Sequence, residues 1–228
     1  MRILMVAADP MEFRGVHGAV PLAVPGVRWS RGASLCGNEA LLVANGVGAR
    51  RAAAAVDAAL KVFQADAVVS TGYCGALVPE LQIGDIVIGT EVAAGGRRFP
   101  ALPIRSSRPH RMGVVFSIDH VAQTAKEKAR LRAAGGVAVE MEAGGVAERA
   151  GAHKLPFFCI KTVTDLAGED MANDFNSALR EDGHFATIKI LRGTLHEPLV
   201  RVPELLRLRS RCARAAQLLG EFIDDCRF

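Results

Sequence analysis

Seven short runs of apolar residues recur along the chain, and they limit its fold more than any other feature. The runs span residues 3–7, 40–44, 67–70, 86–88, 113–116, 137–139 and 157–163. They do not alternate with polar residues, which is typical of strands covered on both faces. Alanine-rich stretches of helical character separate several of them, at residues 49–63, 124–134 and 144–153. Strand followed by helix, repeated, predicts an α/β fold, a three-layer sandwich with a mixed central sheet flanked by helices.

The bulk properties exclude several classes of protein. With 228 residues we expect a single domain over 1–228. Half of the residues are hydrophobic and the net charge is only +4, which favours a globular protein without a nucleic-acid partner. The five cysteines form no CxxC pair and the six histidines no HxxxH, so we expect reduced thiols, no metal site and a cytoplasmic location. The first ten residues are interpreted as a strand rather than a signal peptide.

Two segments stand apart from the strand and helix pattern. Residues 93–112 are rich in glycine, proline and arginine, which predicts a loose surface excursion or a lid. Near the C-terminus, apolar residues recur at helical spacing, with arginines on the opposite side. They are Leu205, Leu208, Cys212, Ala215, Leu219 and Phe222. This spacing predicts a helix docked on the core, and contact with a membrane or a partner is the alternative.

Three acidic residues follow predicted strands, where ligands of open α/β sheets bind. Glu12 follows the first run, Glu142 closes "VAVEME" and Asp165 closes "FFCIKTVTD". Two glycine-containing turns, "ANGVGARR" and "STGYCGAL", would let the backbone approach a ligand closely. Neither turn matches a dinucleotide or ATP motif, so no such cofactor is expected.

Each acid also has a purely structural interpretation. Glu12 could be a solvated residue at the start of a helix, and Glu142 could interact with the dipole of the following helix. Asp165 could cap a short helix. Glu140 is predicted to point away from the site into a structural hydrogen bond. The residues alone leave these alternatives open.

Together the motifs resemble the purine nucleoside phosphorylase/nucleosidase superfamily, and most closely the 5'-methylthioadenosine/S-adenosylhomocysteine nucleosidases. The likeness covers most of residues 1–182 and rests on "VVSTGYCGALVPELQIGDIVIGTEV" and "VAVEMEAGGVAERAGAHKLPFFCIKTVTD". The glycine turn, Ile-Gly-Asp-Ile-Val, Val-Glu-Met-Glu and Thr-Asp occur in the family's order and near its spacing. The resemblance implies a nucleoside phosphorylase-like fold and a hydrolase that releases adenine from a 5'-substituted adenosine without any cofactor.

The resemblance also implies roles for individual residues. Asp165 would protonate or hydrogen-bond N7 of the purine, and Glu142 would bind the 2'- and 3'-hydroxyls. Met141 would pack on the ribose, and Glu12 would activate the attacking water. The other residues implied to bind substrate are Glu140, Gly72, Tyr73, Cys74, Gly75, His120, Val121, Phe158, Lys161 and Thr164. To act as an acid, Asp165 must be protonated near neutral pH, which requires an apolar or anionic setting.

Two positions favour water over phosphate as the nucleophile. Related phosphorylases carry arginines where this chain has Ser70 and Glu12. Losing two guanidinium groups that would hold a phosphate, and gaining a carboxylate, favours hydrolysis. Arg14, Arg50 and Arg51 lie nearby in the sequence and could form an anion site, so a phosphate-dependent phosphorylase is the alternative.

Departures from the nucleosidases leave further alternatives. Tyr73 replaces the usual serine and Lys161 the usual arginine near the attacking water, which makes a non-catalytic nucleoside-binding module conceivable. The 5'-substituent has no readable signature. Family members complete their 5' pockets with a neighbouring subunit, and the chain shows no substitute segment, so the resemblance implies a homodimer.

The C-terminal part resembles another branch of the superfamily. "ALREDGHF" and the Pro-Glu-Leu-Leu-Arg-Leu-Arg helix are similar to hopanoid-associated members, a branch associated with removal of adenine from adenosylhopane. Typical methylthioadenosine nucleosidases end soon after the Asp-Phe helix, so the tail is expected to be an addition. With a lipid substrate, its arginines could meet a membrane surface. A small 5'-thio or 5'-alkyl adenosine is the first expectation.

Overall fold

The structure is a computed structural model, and it describes residues 1–180, 183, 186, 194 and 197–228. Within these residues, eleven strands form one sheet. They are β1 (Arg2–Ala7), β2 (Val20–Pro21), β3 (Trp29–Leu35), β4 (Asn38–Ala44), β5 (Ala67–Ser70), β6 (Tyr73–Ala76), β7 (Ile86–Ala94), β8 (Arg97–Pro100), β9 (Arg111–Ser117), β10 (Gly136–Glu140) and β11 (Phe157–Asp165). Their order is β2-β3-β4-β1-β5-β11-β6-β10-β9-β7-β8, with a further pairing of β11 with β7.

Helices connect the strands and cover the sheet. They are α1 (Ala49–Leu60), α2 (Ala125–Ala133), α3 (Ala143–Ala152), α4 (Phe175–Ala178) and α5 (Pro198–Ile223), with a short 3-10 helix at Pro10–Phe13. Strands β4, β1, β5 and β11 run parallel to one another, whereas β3 pairs antiparallel with β4 and β6 pairs antiparallel with β10. The sheet is therefore mixed, as predicted.

The alternation of side chains along β1 explains why the predicted strands are apolar throughout. Leu4 and Val6 pack in a core layer with α1 and α3. Ile3 and Met5 point to the other face, into a second layer with the C-terminal half of α5. Because both faces of the strand are buried, neither set of alternate positions can be polar. The predicted three-layer α/β architecture is confirmed.

The predicted elements agree well with the observed ones. All seven apolar runs lie inside strands, and the three internal helices begin within one residue of their predicted starts. Thr124 caps α2 by accepting a hydrogen bond from the Glu127 N–H at 3.2 Å. The sequence did not predict strands β2, β3, β6 and β8. Strands β2, β3 and β8 lie toward the edges of the sheet, whereas β6 is a four-residue strand in its interior.

The prediction of a loose surface excursion or a lid at residues 93–112 is partly right, since most of these residues are exposed, but the segment also contains regular strand structure. The segment completes β7, turns at Gly95 and Gly96 and returns as β8, forming a hairpin at the edge of the sheet. The chain beyond β8 is tied to the C-terminus, since Ser106 donates to the Asp225 carboxylate at 2.7 Å. Hairpin pairing and these anchors hold the segment in place.

Helix α5 divides into two halves. The C-terminal half docks on the sheet as predicted, with Ala215, Leu219 and Phe222 buried. In the N-terminal half Leu199 and Leu206 are exposed. Among the described helices, none is both long and apolar enough to cross a membrane.

Candidate active site

A cavity of about 500 Å³ lies at the carboxyl ends of β1, β10 and β11. All three predicted catalytic acids line it: Glu12, Glu142 and Asp165. Eight of the eleven predicted substrate-binding residues also line it, namely Glu140, Met141, Tyr73, Cys74, Gly75, His120, Val121 and Thr164. The sheet therefore gathers residues that are separated by up to 150 positions in the chain, because parallel strands end at the same edge.

The Glu12 carboxylate is held by backbone donors. It is 4% exposed, which rules out the solvated interpretation of this residue. One oxygen accepts the N–H groups of Ala8 and Asp9, both at 2.8 Å, and the other accepts the Tyr73 N–H at 2.8 Å. Burial raises the pKa of Glu12, although these hydrogen bonds act in the opposite direction. Such a carboxylate is a fixed hydrogen-bond acceptor.

The glycines of "STGYCG" make room for two of the acids. Gly72 has a φ of +116°, and a Cβ at this position would clash with the Glu12 carboxylate. A Cβ on Gly75 would lie 2.6 Å from Oδ2 of Asp165. The predicted close approach of these glycines to a ligand stays a prediction, and Gly75 lines the cavity. Their lack of a side chain also allows the turn to pack directly against the Glu12 and Asp165 carboxylates.

The two glutamates of Glu-Met-Glu divide their tasks. Glu140 turns back and accepts the N–H groups of Glu142 and Ala143, at 3.0 and 2.9 Å, which caps the start of α3. The structural hydrogen bond predicted for Glu140 is confirmed. The Glu142 side chain instead contacts the start of α1, where its Oε1 accepts the Gly48 N–H at 2.7 Å. Burial and the nearby Glu140 raise the pKa of Glu142.

Lys161 lies behind this wall rather than in the cavity. Its side chain is fully buried, and its ammonium donates to Glu140 at 2.8 Å and to the Thr71 carbonyl at 2.9 Å. Burial alone would lower the pKa of Lys161, but Glu140, Cys159 and Glu142 together outweigh burial and raise the pKa. Lys161 therefore contacts Glu140 directly and does not line the cavity.

Asp165 has a setting that the sequence did not predict. The ammonium of Lys128 lies 2.5 Å from its Oδ2 and 2.8 Å from the Leu166 carbonyl, and the Lys128 side chain is fully buried. The other oxygen, Oδ1, lies 3.3 Å from the Thr164 hydroxyl. The expected apolar or anionic surroundings are thus wrong, since the nearest charged group is a cation. Asp165 does not cap a helix either, because no helix begins there.

The chain matches the model of a known protein family over most of its length. The model of the phosphorylase superfamily matches residues 2–113 and 103–191. The chain belongs to the phosphorylase superfamily.

Individual members of the superfamily resemble this chain over most of its length. A 5'-methylthioadenosine/S-adenosylhomocysteine nucleosidase of Bacillus cytotoxicus is 26% identical over 229 residues, covering 84% of this chain and 99% of the relative. The nucleosidase of Colwellia psychrerythraea is 29% identical over 180 residues, covering 64% and 74% respectively. The structure of the S. pneumoniae nucleosidase with the inhibitor MT-ImmA matches with a TM-score of 0.69 at 21% identity, over 99% of both chains.

Futalosine hydrolase of Helicobacter pylori has the same fold, with a TM-score of 0.69 at 15% identity over 99% of this chain. Both structural matches extend through α5. The expectation that the C-terminal part is an addition to the nucleosidase fold is therefore wrong. The "ALREDGHF" motif falls partly outside the described residues, so its resemblance to the hopanoid-associated branch of the superfamily stays a prediction.

Three of the residues predicted to bind substrate do not line the cavity. Gly72 and Lys161 stand directly behind it, against Glu12 and Glu140. Phe158 lies in the first half of β11, far from the carboxyl end, and packs edge-on against Phe228 with ring centroids 5.2 Å apart. Phe158 therefore belongs to the core.

His120 stands at the edge of the cavity and is partly exposed. Its Nδ1 lies 2.7 Å from the Asp119 carboxylate and its Nε2 lies 2.6 Å from Glu127. These two carboxylates raise the pKa of His120. The ring therefore ties the segment before α2 to the helix itself.

Sequence reasoning missed several wall residues, including Met171, Phe175, Leu208 and Cys212. Phe175 stands in an Asp-Phe pair that was recognised but not assigned to the site. Leu208 and Cys212 come from α5, and the Tyr73 hydroxyl donates to the Cys212 carbonyl at 3.0 Å. Helix α5 thus contributes part of the cavity wall, and the homodimer stays a prediction.

The predicted anion site is not supported by the geometry. Among the described residues, neither arginine nor lysine lines the main cavity. Arg50 and Arg51 line a separate cavity of about 570 Å³ on the other side of Gly48. In the described part of the chain, no group of three His, Cys, Asp or Glu residues could hold a metal ion.

Proposed function

We propose that this protein is a nucleosidase that hydrolyses the N-glycosidic bond of a 5'-substituted adenosine of the methylthioadenosine/S-adenosylhomocysteine type and releases adenine. The observation that carries the proposal is the convergence of Glu12, Glu142 and Asp165 on one cavity. The names of the curated relatives support the same chemistry.

Cleavage of a purine nucleoside builds positive charge on the sugar and negative charge on the base. At the base end of the cavity, Asp165 would donate a hydrogen bond or proton to N7. At the sugar end, Glu142 would bind the ribose hydroxyls and stabilise the developing cation, with Met141 against the sugar. Glu12 would take a proton from the attacking water, as one carboxylate does in inverting glycosidases.

Two features of the cavity favour water over phosphate. A phosphate nucleophile needs cationic donors, commonly arginine, and the described wall has neither arginine nor lysine. The buried Glu12 carboxylate would also repel the phosphate where the nucleophile has to approach. A water molecule, by contrast, has a proton that Glu12 can accept.

The assay is release of free adenine by the purified protein from methylthioadenosine, S-adenosylhomocysteine, deoxyadenosine and adenosylhopane in detergent. We expect methylthioadenosine and S-adenosylhomocysteine to be turned over at the same rate with and without phosphate. The variants Asp165→Asn and Glu142→Gln should each reduce kcat at least about 10²-fold while remaining folded. Asp224→Asn, which changes an exposed aspartate outside the cavity wall, is the matched control.

The outcomes separate the candidates. Unchanged activity in either variant would remove that residue from the mechanism. A rate proportional to phosphate would make the protein a phosphorylase, and preference for adenosylhopane would assign the lipid substrate. Tight nucleoside binding without turnover of any substrate would identify a binding module. Light scattering of the active protein tests the homodimer prediction.

A further inference from the structure

Lys128 is an unusual residue in helix α2. Its side chain is fully buried, although α2 is otherwise mostly polar and partly exposed. Its ammonium has two hydrogen-bond acceptors, Oδ2 of Asp165 at 2.5 Å and the Leu166 carbonyl at 2.8 Å. Lys128 does not line the cavity, whereas Asp165 does. Any influence of Lys128 on a bound ligand must therefore pass through Asp165.

The proposed chemistry at the base end needs a proton that a carboxylate does not have. N7 of a purine is an acceptor, and so is an ionised carboxylate, so the two cannot bond without a proton between them. Carboxylic acids usually ionise near pH 4, whereas lysine ammonium groups usually keep their protons to about pH 10. Lys128 is the proton-bearing donor in direct contact with Asp165 at this end of the cavity.

We propose that Lys128 is a positioning residue that supplies Asp165 with the proton used on the leaving base. This inference rests on the proposed nucleosidase function. Lys128 transfers a proton to Asp165, and the carboxyl group gives a proton to N7 as the C1'–N9 electron pair moves into the purine. Glu12 takes a proton from the water that attacks C1'. Return of that proton through solvent to Lys128 after product release restores the starting state.

The contact geometry favours such sharing. Removal of an ion pair from water withdraws the solvation that stabilises its charges, which brings the neutral pair closer in free energy to the ion pair. The Lys128 side chain is fully buried and the Asp165 side chain is 14% exposed. The Leu166 carbonyl is a second acceptor that holds the ammonium beside Asp165.

Other titratable groups face this pair from the neighbouring elements. Cys74 faces it from β6, and Arg211 and Cys212 from α5. Glu169 and Asp170 follow β11 and line a side pocket next to Asp165. The Arg211 guanidinium is bidentate to Glu169, at 2.7 and 2.9 Å, so its charge is compensated locally. Lys128 is the cation in direct contact with Asp165.

The test is the pH dependence of adenine release by Lys128→Met, which keeps the length of the side chain and removes the proton. Without Lys128, Asp165 must take its proton from solvent, and the protonated fraction falls about tenfold per pH unit above its own transition. We expect kcat within about tenfold of the wild type near pH 5 and at least about 10²-fold below it near pH 8.5. Lys126→Met, two residues away on the exposed side of α2, should follow the wild type at both pH values.

A loss that is equal at both pH values would show a structural role and overturn the proposal. The ratio of the two rates does not depend on the folded fraction, provided that the circular dichroism of the variant is the same at both pH values. Lys128→Arg gives a second reading, since a guanidinium keeps the charge but does not release its proton. An Arg variant with the wild-type profile would mean that charge alone suffices, which also overturns proton supply. Absence of adenine release by the wild type would instead reject the nucleosidase function itself.

Discussion

At the sugar end of the cavity, Glu12 accepts hydrogen bonds from three backbone N–H groups, whereas at the base end Asp165 pairs with the ammonium of Lys128. Both arrangements fix a carboxylate in position, with Glu12 buried and Asp165 partly exposed, but they differ in what they can release. A backbone N–H keeps its proton at all accessible pH values, while an ammonium group can give one up. The sugar end is therefore suited to accepting a proton, and the base end to supplying one.

The same contrast extends to the lysines behind each end. Lys161 is bonded to Glu140, which in turn caps α3, so its charge supports the wall without touching Glu12 or Glu142 directly. Lys128 contacts the reacting acid itself. Lys161 holds Glu140 at the start of α3, and in our proposal Lys128 supplies the proton used at the base end. Environment rather than residue type separates the two roles.

The largest effect is expected from Glu12→Gln, which breaks the sugar end. A glutamine cannot take a proton from water, and its NH2 group would face at least one of the three backbone donors. We expect kcat for adenine release to fall about 10³-fold across neutral pH. In the wild type, activity should also decline on the acid side as Glu12 becomes protonated, since burial raises its pKa.

Steady-state kinetics of Glu148→Gln provide the comparison, because Glu148 is half-exposed and pairs with Arg97 on the surface. A Glu12→Gln enzyme within a few fold of this control would mean that Glu12 only organises its loop. The difference between the two ends of the cavity would then lie in structure rather than in chemistry.

Much of the architecture was predictable because burial leaves a direct mark on sequence. A strand covered on both faces must be apolar at every position, so β1 and β11 were recognised. The hairpin of β7 and β8 was missed although its signal was present. Gly95 and Gly96 both adopt positive φ, at 55° and 75°, as a tight hairpin turn requires.

The chemistry of the site was only partly predictable. The three acids stand at strand ends, where topology brings them together whatever the details of packing. Lys128 is one of four basic residues in "AKEKARLRA", and nothing in that pattern distinguishes it from Lys126. Leu208 of α5 reaches the cavity from 43 residues beyond Asp165, which closes the Thr-Asp motif. Contacts of this kind depend on tertiary packing and leave no local signal.

A smaller effect is expected from adding one methyl group at each end. Gly72→Ala would push on Glu12 and also force alanine into a positive φ, whereas Gly75→Ala would push only on Asp165. We expect both to lower kcat/KM, by up to about 10²-fold, because small misplacements of reacting groups are costly. Gly72→Ala should in addition lose about 1–2 kcal/mol of unfolding free energy.

Gly151→Ala is the control for this pair. The added Cβ would have no atom within 4 Å, and the residue lies in helix α3, so stability should be unchanged or slightly higher. Urea unfolding and kcat/KM are measured for all three variants. Equal stability of the Gly72 and Gly75 variants would contradict the part assigned to backbone strain.

The smallest effect is expected at the mouth of the cavity, where His120 is 45% exposed and interacts with Asp119 and Glu127. These carboxylates raise its pKa in the folded protein, so its stabilising contribution is fully present below its unfolded pKa of about 6.5 and is lost as pH rises through the folded value. Because solvent screens such exposed pairs, His120→Gln should lower the unfolding free energy by only about 0.5 kcal/mol near pH 5.5 and by less near pH 8.5. Urea unfolding at the two pH values measures the difference. A large rise in KM at both pH values, with stability unchanged, would instead indicate that the His120 ring contacts the purine. The mouth of the cavity would then belong to the base-binding site.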